Sequence, residues 1–329
     1  MKEPVDRGGV CEAPERRVKH NPLSRPVPPR PRTPANALRP LDHLHSSHYS
    51  FAPPDPQPAI LMSLAPNLPH DHTAPSVFNP AHLLREARRQ RDLPDHPLPA
   101  LCVLDPDGDL ARHLRTQGAR PNPAWACYHT ELLDFTLPGG TRIGVLPNAV
   151  GAPFAVLVAE QLFASGTKAL LSITSSGQVA DLGPPPYVVL IDSALRDEGT
   201  SAHYLPQDAP AFAPNPDPAL LARMAQALAH AFPPGNPVTV HQGPTWTTDA
   251  PYRETQSAID GARAQGVLAV EMEAAALHAF AAHHQVPVLC VAHVTNAMGQ
   301  HGDFEKGEAG GAHTALRIIE AAAIAFQDP

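Results

Sequence analysis

The feature that most limits what this chain can fold into is a regular alternation. Short apolar runs rich in Val, Leu and Ile are followed, after a few turn-forming residues, by helical stretches rich in Ala and Leu. Strands covered on both faces read as continuous apolar runs, and strands alternating with helices form a sheet with helices packed against it. Leu101-Cys102-Val103-Leu104 ends at Asp105-Pro106-Asp107-Gly108, the residues of a tight turn, and Asp109 to Gln117 then reads helical. Upstream, Asn79-Pro80 is a cap and first-turn pair ahead of helix formers.

The alternation continues to the C-terminus. Glu131–Leu137 and Thr141–Leu146 flank Pro138-Gly139-Gly140 as a hairpin. A helix over Phe154–Ala164 stops at Gly166, and a strand follows over Ala169–Ile173. Strands are then expected over Tyr187–Leu195, Pro237–Gln242, Val267–Val270 and Val286–Asn296. Helices are expected over Pro218–Phe232, Arg253–Ala264, Met272–His283 and Ala309–Phe326. The expected fold is α/β and three-layered, with a central mixed, mostly parallel twisted sheet flanked by helices.

Proline sets the boundary of that domain. Strings such as Arg25-Pro26-Val27-Pro28-Pro29-Arg30-Pro31-Arg32 remove N–H donors and fix φ, which opposes helix and sheet alike. Residues 1–75 therefore read as a disordered Pro-rich tail and 76–329 as one domain. Met62 stands just upstream of the first organised segment, so that residues 1–61 read as lying before an alternative start.

A net charge of −8 argues against a nucleic-acid partner, because affinity for a phosphate backbone rests on clustered Lys and Arg. No apolar run is long enough to span a bilayer, so no membrane partner is expected. The four cysteines show no short paired spacing, which fits a reducing cytoplasm and neither a disulfide framework nor a zinc knuckle.

The most informative stretch runs from Gly266 to Leu277, an apolar strand entering an alanine-rich helix with Glu271, Met272 and Glu273 at the junction. Ligands of α/β sheets bind beyond the carboxyl ends of the strands, where a carboxylate can accept both hydroxyls of a cis-diol. The same carboxylates would also favour the positive end of a helix.

Val270-Glu271-Met272-Glu273-Ala274-Ala275 resembles the ribose-binding segment of the nucleoside phosphorylase superfamily, especially its uridine phosphorylase-like branch. Ala149-Val150-Gly151-Ala152-Pro153 looks like that family's G-x-G-x-P turn, and Ser172-Ile173-Thr174-Ser175-Ser176-Gly177 stands in the place of its R-x-G-T-x-G strand end. Ala194–Pro206 and Thr245–Thr255 are similar to two further blocks, all in order from about Pro75 onward.

The resemblance implies a phosphorylase/hydrolase-like fold and a pentosyltransferase with inorganic phosphate as co-substrate and no other cofactor. It also implies a homo-oligomer, dimer-based and up to a hexamer. Carried over by position, Glu273 binds the ribose 2′ and 3′ hydroxyls, Met272 packs under the sugar, and Glu271 is a second carboxylate of either ribose-binding or structural role. Asn296 stands where purine-cleaving relatives often place an acid that protonates the leaving base, and with Glu273 it forms the expected catalytic pair. Its amide can donate to and accept from a 6-oxopurine or a pyrimidine, or simply close a polar strand end. Arg196 and Tyr204 are expected at the base, in a loop that closes over it. Asp249 and Arg253 are a candidate i, i+4 pair.

Ser175, Ser176 and Gly177 are the candidates for phosphate, yet the pattern departs from the family in this region. Leu104 replaces a loop glycine, Gly108 and Ser172 stand at two arginine positions, and Asn79 stands for a histidine lent to a neighbouring subunit. A dianion would be poorly compensated there. Water as the nucleophile, or a nucleoside-binding protein without catalysis, are the alternatives to phosphorolysis.

Overall fold

The computed structural model describes residues 71–206, 208–298 and 304–327. The expected tail lies outside these residues up to position 70, as does the reading of Met62; within Asp71–Pro75, His72–Ala74 is turn and bend. The first helix, α1 (Pro80–Arg91), starts where Asn79 accepts the N–H of Ala81 at 2.8 Å. Asn79 thus serves as the cap of this helix.

β1 (Leu101–Asp105) is buried along its whole length, and its side chains point alternately to two cores. Cys102 and Leu104 pack towards α3 (Ala152–Ala164) and α6 (Ala274–His284). Leu101 and Val103 pack towards α2 (Asp109–Thr116), α4 (Pro218–Ala231) and α7 (Ala312–Ala325). This period-two division is what places helices on both faces of one sheet.

The turn between β1 and α2 depends on Gly108, whose φ is 72°. A Cβ there would lie 2.6 Å from Asn148 Oδ1. No arginine can replace it without disturbing that contact. Gly108→Ala is expected to cost about 1–2 kcal/mol, seen as a lower urea midpoint; an unchanged midpoint would show that the turn does not require this geometry.

The remaining strands are β2 (Arg120–Pro121), β3 (Leu133–Thr136), β4 (Arg142–Pro147), β5 (Ala169–Gln178), β6 (Tyr187–Asp197), β7 (Phe212–Pro214), β8 (Val240–Thr248), β9 (Ala269–Glu271) and β10 (Val288–Asn296). A further helix, α5 (Gln256–Ala264), packs on a smaller core around Trp246 and Val270. The sheet is mixed, as expected, and most of its paired residues lie in parallel ladders. β1 pairs in parallel with β4 and β5, β5 with β10, β6 with β8 and β8 with β9. As many pairings run antiparallel: β2–β3, β3–β4, β5–β9, β6–β7 and β6–β10.

The antiparallel pairings arise where short strands are added and where the sheet turns back on itself. β10 pairs with both β5 and β6, and β6, β8 and β9 lead back to β5, so five strands form a closed ring. Two register shifts permit the curvature, one in β6 between Ile191 and Ala194 and one in β10 between Val294 and Asn296. The first lies opposite Pro244, which has no N–H to give the ladder. That proline also explains why β8 lies later than its sequence expectation over Pro237–Gln242: the bulge carries the strand past Gly243-Pro244 to Thr248.

Candidate active site

The carboxyl ends of β1, β5, β9 and β10, with the starts of α3 and α6, converge on one edge of the sheet. β9 is three residues long and ends at Glu271. Met272 follows, and Glu273 stands at the N-cap position of α6 without a side-chain capping bond. The two carboxylates are two residues apart, and the structure gives them different surroundings.

Glu271 is turned into the protein. One oxygen accepts the hydroxyls of Thr245 at 3.0 Å and Thr247 at 2.5 Å, and the other accepts the N–H groups of Glu273 and Ala274, both at 2.7 Å. Those are free donors of the α6 N-terminus, so Glu271 ties β8 to the helix start. Burial pushes its carboxyl above the ordinary range, against the opposing pull of these hydrogen bonds.

Glu273 bridges two other elements of the same edge. It accepts the Gly151 N–H, at the start of α3, at 2.7 Å and the Thr174 hydroxyl, from β5, at 2.8 Å. Each oxygen keeps a lone pair for a further donor. Burial, then the neighbouring Glu271 charge, raises its carboxyl to about 7. Met272 is half-buried, and its Cε lies 4.0 Å from where a Cβ on Gly151 would stand. The strand end, the G-A-P turn and the E-M-E segment are therefore joined through one carboxylate.

One residue further along β5, the sheet's other face carries a charged corner. Asp105 is buried and accepts the Ala111 N–H at 2.8 Å; burial, then Asp107 and Asp109, raises it to about 6. Ser175 donates its hydroxyl to Asp107. Lys306 donates to Asp107 at 2.7 Å and to Asp109 at 2.6 Å. His293 lies in the same corner, 6% exposed, with Nε2 unpartnered among the described residues; burial and Lys306 lower its ring to about 4. Asp105, Asp107, Asp109, Ser175 and His293 border a cavity of about 30 Å³. Ser176 turns back to the Thr174 carbonyl at 3.2 Å, and Gly177 packs under Met298 and Asn296. Ser172, at one arginine position, is buried with its hydroxyl unpartnered among the described residues.

The residues expected at the base are not all brought here. Asn296 stands at the end of β10 beside Gly177; its amide donates to the Ser176 carbonyl at 3.3 Å and accepts the Met298 N–H at 3.1 Å. One N–H and one lone pair remain. Arg196 is held in its own loop, donating to Ser201 at 2.9 Å and to the Pro210 carbonyl at 3.1 Å. Tyr204 lies against the far ends of α3 and α6, donating to Glu160 at 3.0 Å. Asp249 accepts the Gly199 N–H at 3.0 Å instead of pairing with Arg253, which is exposed.

Sequence reasoning missed Lys306, Asp107, Asp109 and His293. Asp107 is 199 residues from Lys306, and only the pairing of β10 with β5 brings that end of the chain to the β1 turn. The signal available was the run Asp105-Pro106-Asp107-Gly108-Asp109, acidic where a phosphate loop would be basic. Among the described residues no group of three or more His, Cys, Asp or Glu is arranged to hold a metal ion, and no helix is long and apolar enough to cross a membrane.

Comparison with known proteins bears on this edge. Residues 101–324 match the sequence profile described as the Phosphorylase superfamily. The chain is 31% identical over 143 residues to a guanosine phosphorylase of Halorubrum lacusprofundi, covering 43% of this chain and 56% of that protein. It is 27% identical over 184 residues to a uridine phosphorylase of Thermococcus kodakarensis, covering 50% and 64%. Both matches thus span less than two thirds of the relative's length. In fold it is similar to the crystal structure of uridine phosphorylase from Vibrio fischeri in complex with 6-hydroxy-1-naphthoic acid, with a TM-score of 0.53, 18% identity, and 70% and 88% of the two chains covered.

Proposed function

Because the chain belongs to the phosphorylase superfamily, we propose that it cleaves the N-glycosidic bond of a uridine or purine nucleoside, with phosphate as the acceptor, giving free base and ribose 1-phosphate. The observation that carries this reading is Glu273: a buried carboxylate fixed by Gly151 and Thr174, with a lone pair left on each oxygen. Two such acceptors suit the adjacent 2′ and 3′ hydroxyls of ribose. The carboxylate also stabilises positive charge that develops on the sugar as the base departs. Met272 supplies an apolar floor, and Asn296 offers its remaining donor and acceptor to the edge of a 6-oxopurine or a pyrimidine.

The charged corner favours a second reading, in which water is the nucleophile. Lys306 is shared by Asp107 and Asp109, and Asp109 is also paired with Arg112, so the corner holds no spare cation for a dianion unless Lys306 is drawn away to it. The Ser175 hydroxyl, already donated to Asp107, is likewise withheld. Base release from uridine, inosine and guanosine, followed by absorbance with and without added phosphate, separates the two. Release that requires phosphate, with ribose 1-phosphate formed, is the expected result. Equal release in phosphate-free buffer, with free ribose formed, would assign water, and no release from any nucleoside would sink both readings.

A further inference from the structure

The charged corner beside Ser175 has the donors of an anion site, with a carboxylate of the chain itself already seated on them. The last residue of β5 that pairs with β1 is Ser172, opposite Leu104. Thr174 and Ser175 therefore stand beyond the end of β1, with side chains directed to opposite faces. Thr174 donates to Glu273 and Ser175 donates to Asp107, so the corner and the Glu273 edge are held by consecutive residues of one strand.

Two donors from distant parts of the chain meet on a single oxygen, Asp107 Oδ2: the Ser175 hydroxyl and Lys306 Nζ, the latter at 2.7 Å. Lys306 lies in the segment between β10 and α7, which the Glu305 N–H ties to the Thr295 carbonyl, near the end of β10, at 2.8 Å. Burial works against its charge, but Asp107 and Asp109 hold the ammonium above its ordinary range, so it is a cation near neutrality. A hydroxyl and an ammonium converging on one anionic oxygen are the donors that an oxyanion from solution would use.

The two aspartates are not equally bound to Lys306. Asp109 is also paired with Arg112 and keeps that partner when Lys306 turns away. Asp107 belongs to the turn after β1, and its side chain is 33% exposed, so water can solvate the carboxylate once it is displaced. Lys306 is comparably exposed. The cavity of about 30 Å³ has room for a water molecule. A tetrahedral oxyanion is larger, and enters only as the Asp107 carboxylate leaves.

We propose that Asp107 is a built-in competitor of phosphate: its carboxylate occupies the position of a phosphate oxygen, and Lys306 is the cation that phosphate takes over from it. This rests on phosphate being the acceptor, as in the first reading above. The consequence is regulatory. The site fills only when phosphate is concentrated enough to displace the carboxylate, and removing the Asp107 charge tightens phosphate, whereas the loss of a merely structural ion pair would not.

Calorimetric titration of the full chain with inorganic phosphate, at constant ionic strength and without nucleoside, tests this. Asp107→Asn keeps the size of the side chain and removes its charge. It is expected to tighten phosphate by at least about tenfold, a gain that misfolding cannot produce. Adding Lys306→Gln to that variant should abolish the gain, and adding Lys306→Arg should preserve it. Phosphate bound no more tightly by Asp107→Asn than by the parent, a gain that survives Lys306→Gln, or no phosphate bound by any of these chains would each overturn the proposal. Binding is read apart from base release, so the two readings fail separately. The expected binding changes together with phosphate-independent base release would uphold the anion site and sink phosphorolysis alone.

Discussion

Replacing Glu273 by Gln is expected to lower kcat/KM for base release by about two to three orders of magnitude, while the protein stays folded. The amide keeps a carbonyl oxygen for the Gly151 N–H, and the Thr174 hydroxyl can rotate to accept from the new NH2 group, so both anchoring contacts survive in neutral form. What is lost is the negative charge beside the sugar and one of the two acceptors for its diol. The pH profile gives an independent readout. With the Glu273 carboxyl raised to about 7, the ionised fraction grows as pH climbs through neutrality, so kcat/KM should rise over that interval in the parent and lose this limb in the variant. Stability runs the other way. Above the ordinary value of 4.5 the unfolded chain gives up a proton that the folded protein retains, so this group's contribution falls as pH rises from there through about 7. A Gln variant with undiminished kcat/KM would remove Glu273 from the reaction.

Glu271→Ala should act on the fold rather than the chemistry. It removes the acceptor for two threonine hydroxyls and two backbone N–H groups, all inside the protein. Each buried donor left unmet costs about 1–3 kcal/mol. Relief of the charge-burial penalty and entry of water offset part of that, leaving an expected loss of about 3 kcal/mol. The measurement is the urea midpoint, with Glu271→Gln as the milder comparison because it retains one acceptor. If the Ala variant unfolds at the parent's midpoint, Glu271 does not secure the start of α6. If it remains stable and instead loses substrate affinity, the roles of the two carboxylates must be exchanged.

The contrast between these glutamates shows where sequence reading stops. The strand running into the alanine-rich helix is visible in Gly266–Leu277, because apolar continuity and helix propensity are local properties. Which carboxylate points inward is decided elsewhere, by Thr245 and Thr247 on β8 and by Gly151 and Thr174 on two further elements. The same holds for β8, whose continuation past Pro244 depends on a bulge in the facing strand. It holds also for the ring, since nothing local to β10 says that it will pair on both sides. The turn after β1, the Gly-rich hairpin and the cap at Asn79 were legible because their causes lie within a few residues of one another. Lys306, closing a charged corner from the far end of the chain, had no local cause to read.

The closed ring also sets an order of events on the ribosome. β5 and β6 emerge early, but the strand between them, β10, is the last strand of the sheet to be made. Until Val288–Asn296 leave the exit tunnel, the nascent chain holds two long strands with unpaired N–H and C=O groups on their facing edges, a ready template for wrong partners. Synthesis halted before β10 should therefore leave a species that chaperones retain and that cannot complete the Glu273 edge, because β5 would lack one of the neighbours that hold its end in place.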